Sequence, residues 1–277
     1  MGCNLLLRRP MCQLLALNSN VPTAATFSFA GLSARGGATD HHVDGWGMAF
    51  HDGAAARVFR DVGRACDAPL AAFLRQHPLR ARTVLAHVRK ATQGAVALAN
   101  CHPFQREWLG RSWLFCHNGD LKGFHPALDG SQLPLGQTDS EQAFCWLLQQ
   151  LHAQFGSGPA PHWRQLAPVL ADLVAQIASH GPFNMLLSDG HALYAHASTK
   201  LAWLVRQHPF TRARLVDCDL EIDLASANAP GDRMVVVATQ PLTAAEPWQS
   251  FAPGELRVFA DGRSVWHQAT AMALAAA

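Results

Sequence analysis

Apolar positions along this chain fall into short blocks punctuated by turn residues. The run "CQLLALN" (Cys12 to Asn18), bounded by "NSNVP", predicts a buried strand ending in a loop. From Pro22 to Ser33 the spacing is helical, and "RGG" (Arg35 to Gly37) closes it with glycines able to take the left-handed cap. Strands are predicted at Gly45 to Phe50, Ala56 to Asp61 and Thr83 to Arg89, with a helix near Ala68 to Gln76. In Ser112 to Asp120, period-two alternation sets Trp113, Phe115 and His117 on one face and Leu114 and Cys116 on the other. "TDSEQAFCWLLQQL" opens with Thr138, Asp139 and Ser140, any of which can cap a helix. The segment "GSGPAP" (Gly156 to Pro161) then leads to a second helix reaching about His180. Beyond it the pattern is strand-rich: "FNMLLSD", "ALYAHAS", "LAWLVRQ", "RMVVVATQ" and "ELRVFADG", with Asp189-Gly190 suited to a type I′ hairpin turn. Strands, two adjacent helices and more strands predict an α+β fold with antiparallel sheets.

Composition narrows the class. With 277 residues, 49% of them apolar, the chain can bury a sizeable core, and a single domain over 11–277 is the simpler organisation. Twenty-two Lys and Arg against twenty Asp and Glu, interleaved without a basic stripe, give no support for nucleic-acid binding. Seven cysteines, an odd number with no CxxC pair, suggest neither a disulfide framework nor a zinc ribbon, and a cytoplasmic setting is expected. No segment approaches the roughly 20 apolar residues a membrane span needs. Residues 1–10 hold only a three-Leu run followed by its charges, which is no signal peptide, and Leu6 breaks the myristoylation pattern.

Met11-Cys12 places a second start-like Met directly before a cysteine at the head of a strand. An ordinary thiol, with a pKa near 8.5, needs a base at neutral pH; were Cys12 the mature N-terminus, its own α-amine of pKa about 8 would serve. A buried strand cysteine is the plainer reading of that pair taken alone. Asn118-Gly119 can offer a side-chain amide and an adjacent backbone N–H to one oxygen, or simply form a turn. Arg89, where a strand ends, suits a substrate carboxylate or a surface ion pair. Asp139 suits a substrate ammonium or a helix cap.

The order of the pieces carries more than any one of them. Met-Cys, "RGG" with "DGWGMAF", "HVRKAT", "HPF", "HNGDL" and "TDSE" resemble, in this order and spacing, the glutamine-hydrolysing domain of class II glutamine amidotransferases, in a free-standing bacterial form, over roughly Met11 to Gly262. The resemblance implies an N-terminal-nucleophile hydrolase fold, a four-layer αββα sandwich with two stacked antiparallel sheets. It implies Cys12 as nucleophile and, by its amine, base; Asn118 and Gly119 as the oxyanion hole; Arg89 on the glutamine carboxylate; and Asp139 on the ammonium. Thr92, His102 and Trp46 lie in family-like motifs as site-lining candidates, with Trp46 equally suited to core packing. Arg35 and Asp44 are expected to form a structural loop network. No metal is expected from the histidines of "DHHVDG" with His87, His102 and His117, whose spacing matches no helical HExxH, and no cofactor is needed.

Three functions follow from this pattern. The leading one is glutamine hydrolysis, with ammonia passed to a separate synthase. The second is hydrolysis of a γ-glutamyl amide or peptide at the same site without ammonia transfer. The third is a non-catalytic regulatory protein that keeps the fold. The leading reading makes residues 1–10 either a cleaved leader or a mis-assigned start.

Overall fold

The computed structural model describes residues 12–270. Strand β1 (Gln13–Ala24) lies inside a seven-stranded sheet, paired antiparallel with β4 (Arg80–Val88) on one side and β12 (Arg233–Ala238) on the other. That sheet is completed by β2 (Trp46–Asp52) and β3 (Ala55–Asp61) beyond β4, and by β9 (Ala202–Gln207) and β13 (Gln249–Ser250) beyond β12. A second sheet of six strands runs in the order β15 (Arg263–Ala269), β14 (Glu255–Ala260), β8 (Leu193–Ala197), β7 (Phe183–Ser188), β6 (Arg111–Gly119) and β5 (Phe104–Trp108). A small ribbon pairs β10 (Arg212–Arg214) with β11 (Glu221–Asp223).

Alternation along the strands divides the core into three apolar layers. Leu15 and Leu17 of β1 face outward with Val84, Ala86 and Val236, and are covered by Phe29 and Leu32 of α1 (Thr26–Arg35) and Leu74 of α2 (Pro69–Gln76). Leu14 and Ala16 face inward, meeting Leu114, Cys116 and Leu186 of the second sheet. On its far side, Phe115, Met185 and Tyr194 are covered by α3 (Asp139–Phe155) and α4 (Trp163–Ala178) through Phe144, Leu147, Leu170 and Val174. The layers therefore run α, β, β, α, as the αββα expectation requires. The faces predicted for residues 112–120 are those observed: Trp113 and Phe115 turn to the helices, Leu114 and Cys116 to the other sheet. Among the described residues, no helix is long and apolar enough to cross a membrane.

Several local expectations need correction. β1 does not stop at Asn18 but continues through Pro22, where a register shift between Asn18 and Thr23 removes the need for a ladder donor at proline. The helix accordingly starts at Thr26, and Gly36 closes it at φ −80°, so the left-handed conformation falls one residue later, at Gly37 with φ +117°. Asp189-Gly190 is no type I′ turn, since only Gly190 has positive φ; the Asp189 side chain instead accepts from the His191 and Ala192 N–H groups at 3.0 and 2.9 Å. The "DHHVDG" segment is loop, with His41 exposed and His42 buried beside Asp40. The edge strand β5 and the short β10, β11 and β13 carried too little pattern to be predicted, as did the one-turn helix α5 (Leu224–Ala227).

Leu186 is fully buried between the sheets. Leu186→Ala is expected to cost about 2–5 kcal/mol, read as a lowered urea midpoint with an unchanged slope; a loss below about 1 kcal/mol would contradict this packing.

Candidate active site

Gln13 pairs with Val88, so the antiparallel register brings the residue before β1 opposite the residues that follow β4. There the Cys12 Sγ accepts a hydrogen bond from the Lys90 N–H at 3.2 Å and lies 3.2 Å from the Lys90 carbonyl, to which the thiol can donate. Burial pushes this thiol up to about 11, against the opposing pull of the Lys90 peptide and the Arg89 charge. With Cys12 in peptide linkage, almost none of it is thiolate at neutral pH. Attack by this sulfur therefore needs a base.

Asn118 reaches the same place from the second sheet. It continues the inward face of Leu114 and Cys116, is fully buried, and its Nδ2 donates to the Cys12 carbonyl. One Nδ2 hydrogen remains for another acceptor. Asn118 and Gly119 are not a turn: both lie within β6, opposite Asn184 and Phe183. Gly119 is required by close approach, since a Cβ there would stand 1.7 Å from the Pro182 carbonyl oxygen and 2.5 Å from His117 Nε2. Asn184 fixes the pair from behind, donating to the Asn118 carbonyl at 3.2 Å and to Thr199 Oγ1 at 2.7 Å.

Arg89 is buried, and its fork is engaged by main-chain carbonyls. The two terminal nitrogens donate to Gln93 O at 2.8 Å and Ala95 O at 3.1 Å, with longer contacts to Gly94 and Asp44. A substrate carboxylate would meet its charge and its Nε–H, or exchange with these carbonyls. Asp44 holds the same loop, accepting from the Ala91 N–H at 2.8 Å, and Gln93 Nε2 donates to Asp120 Oδ1 at 2.5 Å. Thr92 is exposed on this loop.

Asp139 stands at the start of α3, whose N-cap is Thr138, with Oγ1 accepting from the Glu141 N–H at 3.2 Å. Its Oδ2 accepts from the Leu121 N–H at 2.7 Å and its Oδ1 from the Ser140 N–H at 2.8 Å. His102 packs against His87 and Phe104, each with ring centroids 4.3 Å away, and is only 3% exposed. Burial, reinforced by neighbouring charge, lowers His87 to about 3 and His102 well below its usual value, so both rings are neutral beside the Arg89 cation. Among the described residues, no group of three or more His, Cys, Asp and Glu could hold a metal.

The structure thus brings Cys12, Arg89, Asn118, Gly119 and Asp139 to one end of the sheet sandwich. It sets His102 behind them and Thr92 on the rim. Trp46 is fully buried against Phe29 and belongs to the core. Arg35 is a structural tie, bonded to Asp217 at 2.7 Å, to the Gln240 and Pro241 carbonyls, and to Gln13 at 3.4 Å. Gln13, Asn184 and Thr239, whose Oγ1 accepts from the Leu14 N–H at 2.8 Å, are supports not recognised in the sequence. Only Asn184 left a signal there, as a polar residue inside the apolar run "FNMLL".

Comparison with known proteins identifies the family. The family model described as "Glutamine amidotransferases class-II" matches residues 11–276. The Escherichia coli K12 protein named "Putative glutamine amidotransferase YafJ" is 45% identical over 255 residues, spanning 92% of this chain and all of that protein. A Haemophilus influenzae protein named "Putative glutamine amidotransferase" is 40% identical over 261 residues, 94% of this chain and 88% of its own. A 2.0 Å crystal structure described as a "predicted glutamine amidotransferase" from Pseudomonas aeruginosa has a TM-score of 0.73 at 39% identity, covering 92% of this chain and all of that one. The chain belongs to the class II glutamine amidotransferases.

The raised thiol gives a direct expectation. While Cys12 remains in peptide linkage, its alkylation by iodoacetamide, followed by peptide mass mapping, should keep rising with pH toward an inflection near 11. A plateau by pH 9 would contradict the burial of this sulfur.

Proposed function

We propose that this protein hydrolyses the side-chain amide of glutamine through Cys12 as its mature N-terminal residue. The observation that carries this reading is the contact between Asn118 Nδ2 and the Cys12 carbonyl, which brings an amide donor to the residue that bears the sulfur. The α-amine of Cys12 takes the thiol proton, directly or through a water, and the sulfur attacks the amide carbon. Negative charge on the amide oxygen is met by Asn118 Nδ2 and the Gly119 N–H. As the tetrahedral intermediate collapses, the C–N bond breaks, the proton passes from the amine to the leaving nitrogen, and ammonia departs from a γ-glutamyl thioester. Water, activated by the same amine, then cleaves the C–S bond to give glutamate and restore the thiol.

Arg89 and Asp139 hold the two charges of the amino-acid head, the carboxylate and the ammonium. Thr92 borders the entrance, and His102 backs the site as neutral packing. Two findings support a start at Cys12: a thiol near 11 needs an adjacent base, and the family match begins at residue 11, directly before it. The ammonia is passed to a separate synthase. A cytoplasmic setting, where glutamine is at hand, suits this reaction.

Cys12→Ala is expected to abolish glutamate release from glutamine while leaving the thermal transition within a few degrees of the parent; retained turnover would move the nucleophile elsewhere. Arg89→Ala should raise KM for glutamine at least tenfold. In paired assays glutamine should be turned over faster than γ-glutamyl dipeptides, and a strong preference for the dipeptides would replace the amidotransferase reading with γ-glutamyl hydrolysis.

A further inference from the structure

His117 is buried behind the candidate site, and the reaction described above gives it no part. Its two nitrogens have different neighbours. Nε2 lies 3.3 Å from the Pro182 carbonyl oxygen, and Nδ1 lies 2.8 Å from Ser140 Oγ. A carbonyl can only accept, so the Nε2 contact is a hydrogen bond only if Nε2 carries the proton. In a neutral ring Nδ1 is then an acceptor, and the Ser140 hydroxyl donates to it.

That assignment bears on Asp139. Ser140 Oγ also lies 3.3 Å from Asp139 Oδ1, but a hydroxyl has one proton and here it faces the closer, better placed nitrogen. Asp139 is left with one backbone N–H on each oxygen, from Leu121 and from Ser140, and with the remaining lone pairs open. Were His117 an imidazolium, both nitrogens would donate. The Ser140 hydroxyl would then turn its proton onto Asp139 Oδ1 and compete for the carboxylate.

We propose that His117 is a positioning residue for substrate recognition: by accepting the Ser140 hydroxyl proton on Nδ1, it keeps that proton off Asp139 and leaves the carboxylate open to a substrate ammonium. The inference rests on the reading of Asp139 as the ammonium acceptor. The groups facing His117 are Asp139 from α3, Asp120 just beyond β6, the Pro182 carbonyl and the buried rings of His87, His102 and His196. The two aspartates favour a charged ring, but burial outweighs them and lowers its pKa. Phe183, with its ring centroid 4.8 Å away, adds an apolar wall.

The first test needs neither turnover nor substitution. Nitrogen-15 NMR of the histidine-labelled full chain at pH 7 should show His117 protonated on Nε2 and bare on Nδ1; an Nδ1–H ring or an imidazolium would overturn the proposal. The second uses glutamine and glutaramate, which lacks the α-ammonium. His117→Phe should raise KM for glutamine five- to tenfold, leave kcat within about twofold, and leave KM for glutaramate nearly unchanged. Adding Ser140→Ala should bring KM for glutamine back to within about twofold of Ser140→Ala alone, because the competing proton is gone. Equal losses on both compounds, or a double variant no better than His117→Phe, would overturn the role of His117. A parent protein that treats both compounds alike would instead overturn the ammonium role of Asp139. Should His117→Phe fail to fold, the NMR signature still decides the assignment.

Discussion

Everything at the candidate site depends on β1 being hydrogen-bonded on both of its edges. β4 and β12 hold it in register, so Cys12, one residue ahead of the ladder, is fixed against Lys90 before any side chain contributes. Thr239, just past the end of β12, adds a second bond at Leu14, and Arg35 grips Gln13 from α1. A nucleophile at a free chain end would ordinarily fray. On the proposed reading, in which Cys12 heads the mature chain, these bonds hold the segment that a residue acting through both its side chain and its amine must keep in place.

The second sheet supplies the complementary group by the same logic of alternation. Leu114, Cys116 and Asn118 occupy one face of β6, and the first two bury against β1 and its neighbours while the third arrives at Cys12. Asparagine at the end of an apolar stripe is thereby held by the packing that precedes it. On the proposed reading, a donor already held at Cys12 by packing is what stabilising charge that develops only during reaction requires. Arg89 shows the opposite economy. Its charge is placed near the sulfur, but its fork organises the loop of residues 93–95, so one side chain serves both the electrostatics of the site and the shape of its rim.

Much of this was legible in the sequence because the strands are buried on both faces or alternate cleanly. The strong apolar runs became β1, β4, β6, β7, β8, β9, β12 and β14, and the capped helix at Thr138 fell where expected. The misses have physical causes. Pro22 reads as a helix start because a register shift inside a strand leaves no mark in local composition. Asp189-Gly190 reads as a tight turn because a side chain replacing a backbone bond is invisible in a dipeptide. At the candidate site, order and spacing singled out Cys12, Arg89, Asn118, Gly119 and Asp139, which the structure places together at one end of the sandwich. The supports were not, since Gln13, Asn184 and Thr239 act through contacts 15 to 225 residues away in the chain. Trp46, flanked by glycines in a family-like motif, turned out to be core.

The central claim is that one residue supplies both nucleophile and base, and that a thiol held protonated by burial is released only by its own free amine. Its most direct test compares glutamine turnover by two purified forms of known intact mass, one beginning at Cys12 and one retaining Met1. The mechanism predicts activity in the first and at most a trace in the second. Equal activity in a chain still beginning at Met1 would contradict it.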